Sequence, residues 1–249
     1  MPELSNSFYF SIPEGLSMLR NAFKAKTTAG FRRAVRDLAE EFRVQRLHRA
    51  ALRRAHRYST DNLKLNAGCG RNFKDGWINI DMSDKADLQL DLREPLPFAA
   101  ESVSIVYSEH FLEHLEYPDQ ALNFLKESLR VLQPGGLFSV GVPDTEWPLK
   151  SYVNEDQEYF LLARQRWHPA WCNTRMHNLN YHFRQGRQHK YAYDFETLAQ
   201  ILGEVGFVSI ARRAFNPGLD DERREHGTLY VDAYKPTSAL NPDTRPRAG

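Results

Sequence analysis

The first chemical signal in the chain is Asn66-Ala67-Gly68-Cys69-Gly70, which closes a short apolar run. Glycines at the end of a strand let backbone N–H groups approach a ligand closely. The crevice beyond the carboxyl ends of parallel strands is where open α/β sheets bind their ligands. Alone, Gly-x-Gly also describes a plain turn, but two carboxylates add to it. Asp81 closes the next apolar run, where it can accept both hydroxyls of a ribose. Asp91 follows Leu88–Leu90 and can receive an adenine amino group. Three such groups at three consecutive strand ends describe a nucleoside pocket.

Those groups need a sheet to hold them. The runs Leu63–Ala67, Trp77–Ile80, Val103–Ser108 and Leu137–Val142 predict buried strands. Between the last two, Ala121–Leu132 has helical spacing and stops at Pro134-Gly135-Gly136. Strands alternating with helices imply a parallel α/β sheet. A helix over Phe195–Val205 and strands over Phe207–Ala211 and Thr228–Ala233 continue it. Only Gly68–Gly76 joins the first two strands, fewer than the dozen or so residues of a helical crossover, so a loop or single turn is expected there. The segment Glu146–Tyr193 shows little periodicity and is rich in aromatics, including Trp147, Tyr159, Trp167 and Tyr181. It reads both as a small core of its own and as a cap over an acceptor, because aromatic faces pack on sugar rings and planar substrates. The tail after Pro236 is expected to be disordered.

Leu63-Lys64-Leu65-Asn66-Ala67-Gly68-Cys69-Gly70, Asp81 and Asp91-Leu92-Arg93-Glu94-Pro95-Leu96-Pro97-Phe98 together resemble a class I S-adenosylmethionine-dependent methyltransferase. The likeness continues through Glu109-His110-Phe111-Leu112-Glu113-His114 and Leu129-Arg130-Val131-Leu132-Gln133-Pro134-Gly135-Gly136. It is similar to the type 11 branch, and in Phe183–Asp194 and Leu229–Pro236 to members that accompany glycan and polysaccharide synthesis. The resemblance implies a Rossmann-like, mostly parallel sheet of seven strands over residues 61–236, with S-adenosylmethionine as cofactor. It implies that Gly68, Cys69 and Gly70 face the methionine part of the cofactor. Asp81 with Met82 would hold the ribose, Asp91 and Leu92 would flank the adenine, and Ser108, Glu109 and His110 would stand beside the sulfonium. Asn66 stands where the family usually has an acidic residue, and Asn72 where a third glycine is common. Arg71 and Lys74 are placed to meet the cofactor carboxylate.

A sugar hydroxyl is poorly acidic, so its methylation benefits from a general base. Histidine suits that task at neutral pH. His189, ahead of the helix that returns to the sheet, is the preferred base, and His110 is expected to line the site. His110 and His114 stand four apart, but His110 is placed at a strand end and no third ligand is evident, so no metal is expected.

The formal net charge of +1 hides two opposed segments. Residues 1–60 carry 12 Lys+Arg against 5 Asp+Glu, while the remainder carries 21 against 27. The basic front is expected to hold one long helix over Phe31–Tyr58, studded with arginines and suited to packing on an acidic surface, to self-association or to peripheral membrane contact. The acidic body argues against nucleic acid as substrate. Two cysteines are too few for a disulfide scaffold, and Met1–Phe10 does not read as a signal peptide, so the expected compartment is the cytoplasm. The leading reading is O-methylation of a sugar, nucleotide-sugar or glycan intermediate. Its competitors are methylation of another small metabolite or a protein side chain, a cofactor-binding regulatory module without catalysis, and an adaptor acting through the basic helix.

Overall fold

The structure, a computed structural model, describes residues 25–58 and 61–237. Expectations for residues 1–24 and for the tail from 238 lie outside the described residues. The chain forms two compact units, Met1–Arg46 and Leu47–Gly249. The boundary falls inside helix α1 (Ala29–Ala55). In the first unit, Arg43 and Glu40 pair at 2.7 Å on the helix surface. In the second, Ala51 and Ala55 share one helix face four residues apart and are buried in the main core.

The second unit is a six-stranded mixed sheet, formed by β1 (Leu63–Ala67), β2 (Ile78–Ile80), β3 (Val103–Glu109), β4 (Leu132–Pro143), β5 (Val208–Arg213) and β6 (Thr228–Tyr234). Its order is β2-β1-β3-β4-β6-β5. The pairs from β2 to β4 are parallel, and β6 runs antiparallel to both β4 and β5. Register aligns the carboxyl ends, with Ala67 opposite both Ile80 and Ser108, and Ser108 opposite Val140. The loops leaving four neighbouring strands therefore open along one edge, which is the layout a ligand crevice requires.

The expectation of seven strands is corrected to six among the described residues. Leu88–Leu90 contributes one isolated bridge, Ile80 to Leu88. Two backbone bonds support it, Leu88 N–H to the Asn79 carbonyl and Asp81 N–H to the Leu88 carbonyl, both 3.2 Å. Beyond it the chain turns, with Glu94 N–H bonded to the Asp91 carbonyl at 3.1 Å, and Pro95 and Pro97 offer no backbone donors. Leu88, Leu90 and Leu92 are nevertheless buried, so the segment packs as core without extending the ladder.

Helix α2 (Asp119–Val131) buries Ala121, Phe124, Leu125, Ser128 and Val131, the stripe its sequence spacing predicts. Ser128 donates its hydroxyl to the Phe124 carbonyl at 2.8 Å, which satisfies a buried polar group. Three helices follow β4: α3 (Glu146–Val153), α4 (Glu158–Arg166) and α5 (Arg175–Arg184). Tyr159, Phe160, Ala163 and Leu179 form a second hydrophobic cluster there, with Trp147, Tyr152, Trp167 and Phe183 packed against it. Helix α6 (Phe195–Val205) starts where the Asp194 carboxylate accepts the Thr197 N–H at 2.8 Å and stops at Gly206, φ 113°. Among the described residues no helix is long and apolar enough to cross a membrane.

Candidate active site

Between β1 and β2 the chain makes turns and no helix. The Gly68 and Cys69 N–H groups both bond the Ile80 carbonyl, at 2.8 and 3.1 Å. Gly68 has φ +70°, and a Cβ there would meet the Phe111 ring at 2.4 Å, so the close approach of that ring requires glycine. Gly70, φ +53°, has nothing within 4 Å of where a Cβ would lie, so the space beside it is open. Asp81 fixes this loop: its carboxylate accepts the Gly70 N–H at 3.0 Å and the Ser83 N–H at 2.8 Å. Asn66 is buried and donates its amide to the Asn72 carbonyl at 2.7 Å and to Asn79 Oδ1 at 2.9 Å. A side-chain amide thus ties β1 to the loop and to β2, where the family's usual acid could donate nothing when ionised.

A cavity of about 570 Å³ opens over this loop, a size within the usual range for small-molecule sites, about 300–1,000 Å³. Cys69, Gly70, Arg71 and Asn72 form one wall. Tyr159, Trp167, His168 and Tyr181 reach it from α4 to α5, so some of the aromatics that build the local cluster also face the cavity. His110, His182, His189 and Thr228 lie on the remaining wall, with Arg166, Arg223 and Arg224.

The other sequence-derived residues sit outside that lining. The Asp91 carboxylate is held by the Arg93 guanidinium at 2.8 to 3.1 Å, and its N–H donates to His48 Nδ1 at 3.1 Å. Burial works to raise the Asp91 carboxyl, but the Arg93 hydrogen bonds outweigh it and leave the group below its ordinary value. Leu92 is buried and Met82 half-buried. Lys74 turns away to the Leu219 carbonyl and stacks over the Tyr107 ring at 4.5 Å. The Ser108 hydroxyl is buried with no hydrogen-bond partner among the described residues. Glu109 is buried too, but well supplied. It accepts from the Tyr230 hydroxyl at 2.9 Å and from the Asp221 N–H at 3.3 Å, with Arg224 3.7 Å away. Cys69 is no nucleophile, since burial and then Asp81 and Asp87 push its thiol up to about 12.

His110 follows β3 directly with φ +52°, and its Nε2 lies 2.8 Å from the Thr228 hydroxyl. Burial holds it well below the ordinary histidine value, and Arg224 with the neighbouring histidines adds to this. His189 donates Nδ1–H to the His182 carbonyl at 2.8 Å, and burial pushes it down to about 4. Both imidazoles are therefore neutral at pH 7. Sequence reasoning missed Glu113, although it lies within the quoted Glu109–His114 stretch. Its carboxylate is 2% exposed, has no hydrogen-bond partner among the described residues, and is raised to about 8 by burial. Sequence reasoning also missed Thr228, Arg166, Arg223 and Arg224, and gave His182 no role.

Residues 65–140 match the family model described as a methyltransferase domain. That match supports the resemblance to class I S-adenosylmethionine-dependent methyltransferases, over the part of the chain that runs from β1 into β4. No curated protein matches the chain. Among solved structures it is similar to a possible exported protein from Bordetella parapertussis (16% identity, 76% of this chain and 67% of that one, TM-score 0.45). It is also similar to an S-adenosylmethionine-dependent methyltransferase, a possible histamine N-methyltransferase, from Thermotoga maritima (16%, 82% and 97%, TM-score 0.41). A further similar structure is an S-adenosylmethionine-dependent methyltransferase from Archaeoglobus fulgidus (15%, 76% and 94%, TM-score 0.43). At this level of likeness nothing about substrate follows.

Proposed function

We propose that the chain is an S-adenosylmethionine-dependent methyltransferase acting on a hydroxyl of a sugar, nucleotide-sugar or glycan intermediate. The observation that carries the reading is the open space beside Gly70, past the end of β1, in the wall of a cavity of about 570 Å³ within the segment that matches a methyltransferase domain. The residues present fit the cofactor on this side. Cys69, Gly70 and Asn72 would hold its methionine part, and Arg71 would meet its carboxylate. Asp81 would take the ribose, exchanging its contact with Gly70 for the two hydroxyls, and Asp91 with Leu92 would flank the adenine. When bound, the cofactor supplies an activated methyl group on a sulfonium.

The rest of the reaction falls to the chain. Tyr159, Trp167 and Tyr181 line the cavity with aromatic surface suited to a sugar and help to exclude water from the acceptor. Arg166 lines the cavity beside Arg223, which is paired with Asp221, and Arg224, which stands near Glu109, and this basic side favours an acceptor that carries phosphate. His110 and His189 are the proton acceptors in this reading because both line the cavity as unprotonated imidazoles, although their burial makes them weaker bases than a free histidine. The domain division carried by this reading is a basic extension over 1–60, a methyltransferase domain over 61–236 and an acceptor cap over 146–193.

The test is mass-spectrometric detection of a methylated product, with neutral sugars, nucleotide-sugars and small amines offered in parallel. Transfer to a nucleotide-sugar supports the reading, and transfer to amines alone overturns the acceptor class.

A further inference from the structure

Glu113, His114 and His189 offer one ligand atom each, and these atoms all lie within 4.8 Å of one another. Glu113 Oε1 is 3.9 Å from His114 Nε2, and the two imidazole rings stand 5.3 Å apart between centroids. Each histidine has its other nitrogen committed. His114 Nδ1 bonds the Gln188 carbonyl at 3.0 Å, and His189 Nδ1 bonds the His182 carbonyl at 2.8 Å. A carbonyl can only accept, so both protons sit on Nδ1 and both Nε2 lone pairs are left for a ligand. Backbone carbonyls that fix the tautomer in this way are the usual outer support of metal-binding histidines.

The third member is more telling. Neither oxygen of the buried Glu113 carboxylate has a hydrogen-bond partner among the described residues. His110 Nδ1 is the other polar atom recorded near it, at 3.5 Å from Oε1. Beside it lies a small cavity of about 10 Å³, lined by Glu113, His182, His189 and Tyr193, about the room of a single water or ion. His182 Nε2 and the Tyr193 hydroxyl there are also buried without partners. A buried carboxyl group whose oxygens have no hydrogen-bond partner among the described residues, set beside two imidazole nitrogens, has its ligand atoms unspent. Backbone bonds hold the cluster together across the sequence, since the Glu113 carbonyl accepts the Lys190 N–H at 2.7 Å and the Tyr191 N–H at 3.4 Å.

We propose that Glu113, His114 and His189 form a site for one divalent transition-metal ion, zinc first. Two imidazoles and a carboxylate match the softness of such ions, and this donor set leaves positions for water or an acceptor oxygen. Ligands about 2.1 Å from a shared ion at tetrahedral angles lie about 3.4 Å apart, so the side chains close by an ångström or so on binding. His182 and His189 line the large cavity as well, which puts the ion at its edge. The ion commits the His189 lone pair and leaves His110 as the proton acceptor. The site stands on its own geometry and does not depend on methyl transfer.

The experiment uses the full chain without a histidine tag, stripped with chelator and titrated calorimetrically with Zn²⁺ and Mn²⁺. One ion per chain is expected, weakened about tenfold or more in Glu113→Gln, His114→Ala and His189→Ala, a loss that even outer-shell changes produce. His177→Ala, on the exposed side of α5, keeps full binding. Circular dichroism confirms that each variant folds, and Co²⁺ in the wild-type chain gives visible tetrahedral bands that His189→Ala removes. No bound ion, or equal binding in all variants, overturns the site. A chain that binds S-adenosylhomocysteine but no metal sinks this proposal alone.

Discussion

Glu109 and Glu113 lie four residues apart, both almost fully buried, in opposite surroundings. Around Glu109 the chain gathers a tyrosine hydroxyl, a backbone N–H and an arginine, and the strand-end loop nearby is braced by bonds from Asn66, to Asp81 and from the Gly68 and Cys69 amides. Around Glu113 it gathers histidines and, among the described residues, no hydrogen-bond donor to the carboxyl group. The Glu109 carboxylate is satisfied by its own chain and behaves as scaffold. The second keeps polar atoms without protein partners, which is costly unless something binds there.

Substitutions turn this contrast into numbers. The largest effect is expected in the scaffold, from Gly68→Ala, which forces a Cβ into the Phe111 ring at positive φ. It should cost about 2–4 kcal/mol in urea unfolding. Glu109→Gln should cost about 2 kcal/mol, because it weakens the hold on Tyr230, the Asp221 N–H and a partly exposed Arg224. With chelator present, Glu113→Gln should change stability by less than about 1 kcal/mol, since no hydrogen bond is lost. Equal losses at 109 and 113 would erase the distinction.

Much of the scaffold is legible in the sequence, and the cluster is not. Leu63–Ala67 and Val103–Glu109 read as strands because apolar runs bounded by turn residues leave a local signal. The Gly68–Gly76 linker announces its missing helix by length alone. Leu88–Leu90 carries the same apolar signal as its neighbours, and only the turn and prolines after it decide that it makes one bridge. Helices α3 to α5 escape notice because their aromatics pack on one another rather than along a single stripe. Glu113 meets His189 through the Lys190 N–H, a bond between distant segments that leaves no periodic trace.

The smallest expected effect concerns acid. Burial lowers His168, which bonds Asn178 Oδ1 at 2.8 Å, so it is neutral in the folded chain. Its contribution to stability is complete above the unfolded value of about 6.5 and is lost as pH falls through and below it. Urea midpoints should drop between pH 7 and 5, and less steeply in His168→Gln. An unchanged slope would show that the cap histidine gains nothing from being neutral.

Calorimetric titration of S-adenosylhomocysteine into the full chain and into Asp81→Ala tests the strand-end site most directly. One molecule per chain should bind, and the variant should lose about tenfold or more, the worth of a charged hydrogen-bond pair. No binding to the wild-type chain, or the same affinity in Asp81→Ala, would contradict the reading of these strand ends as a cofactor site.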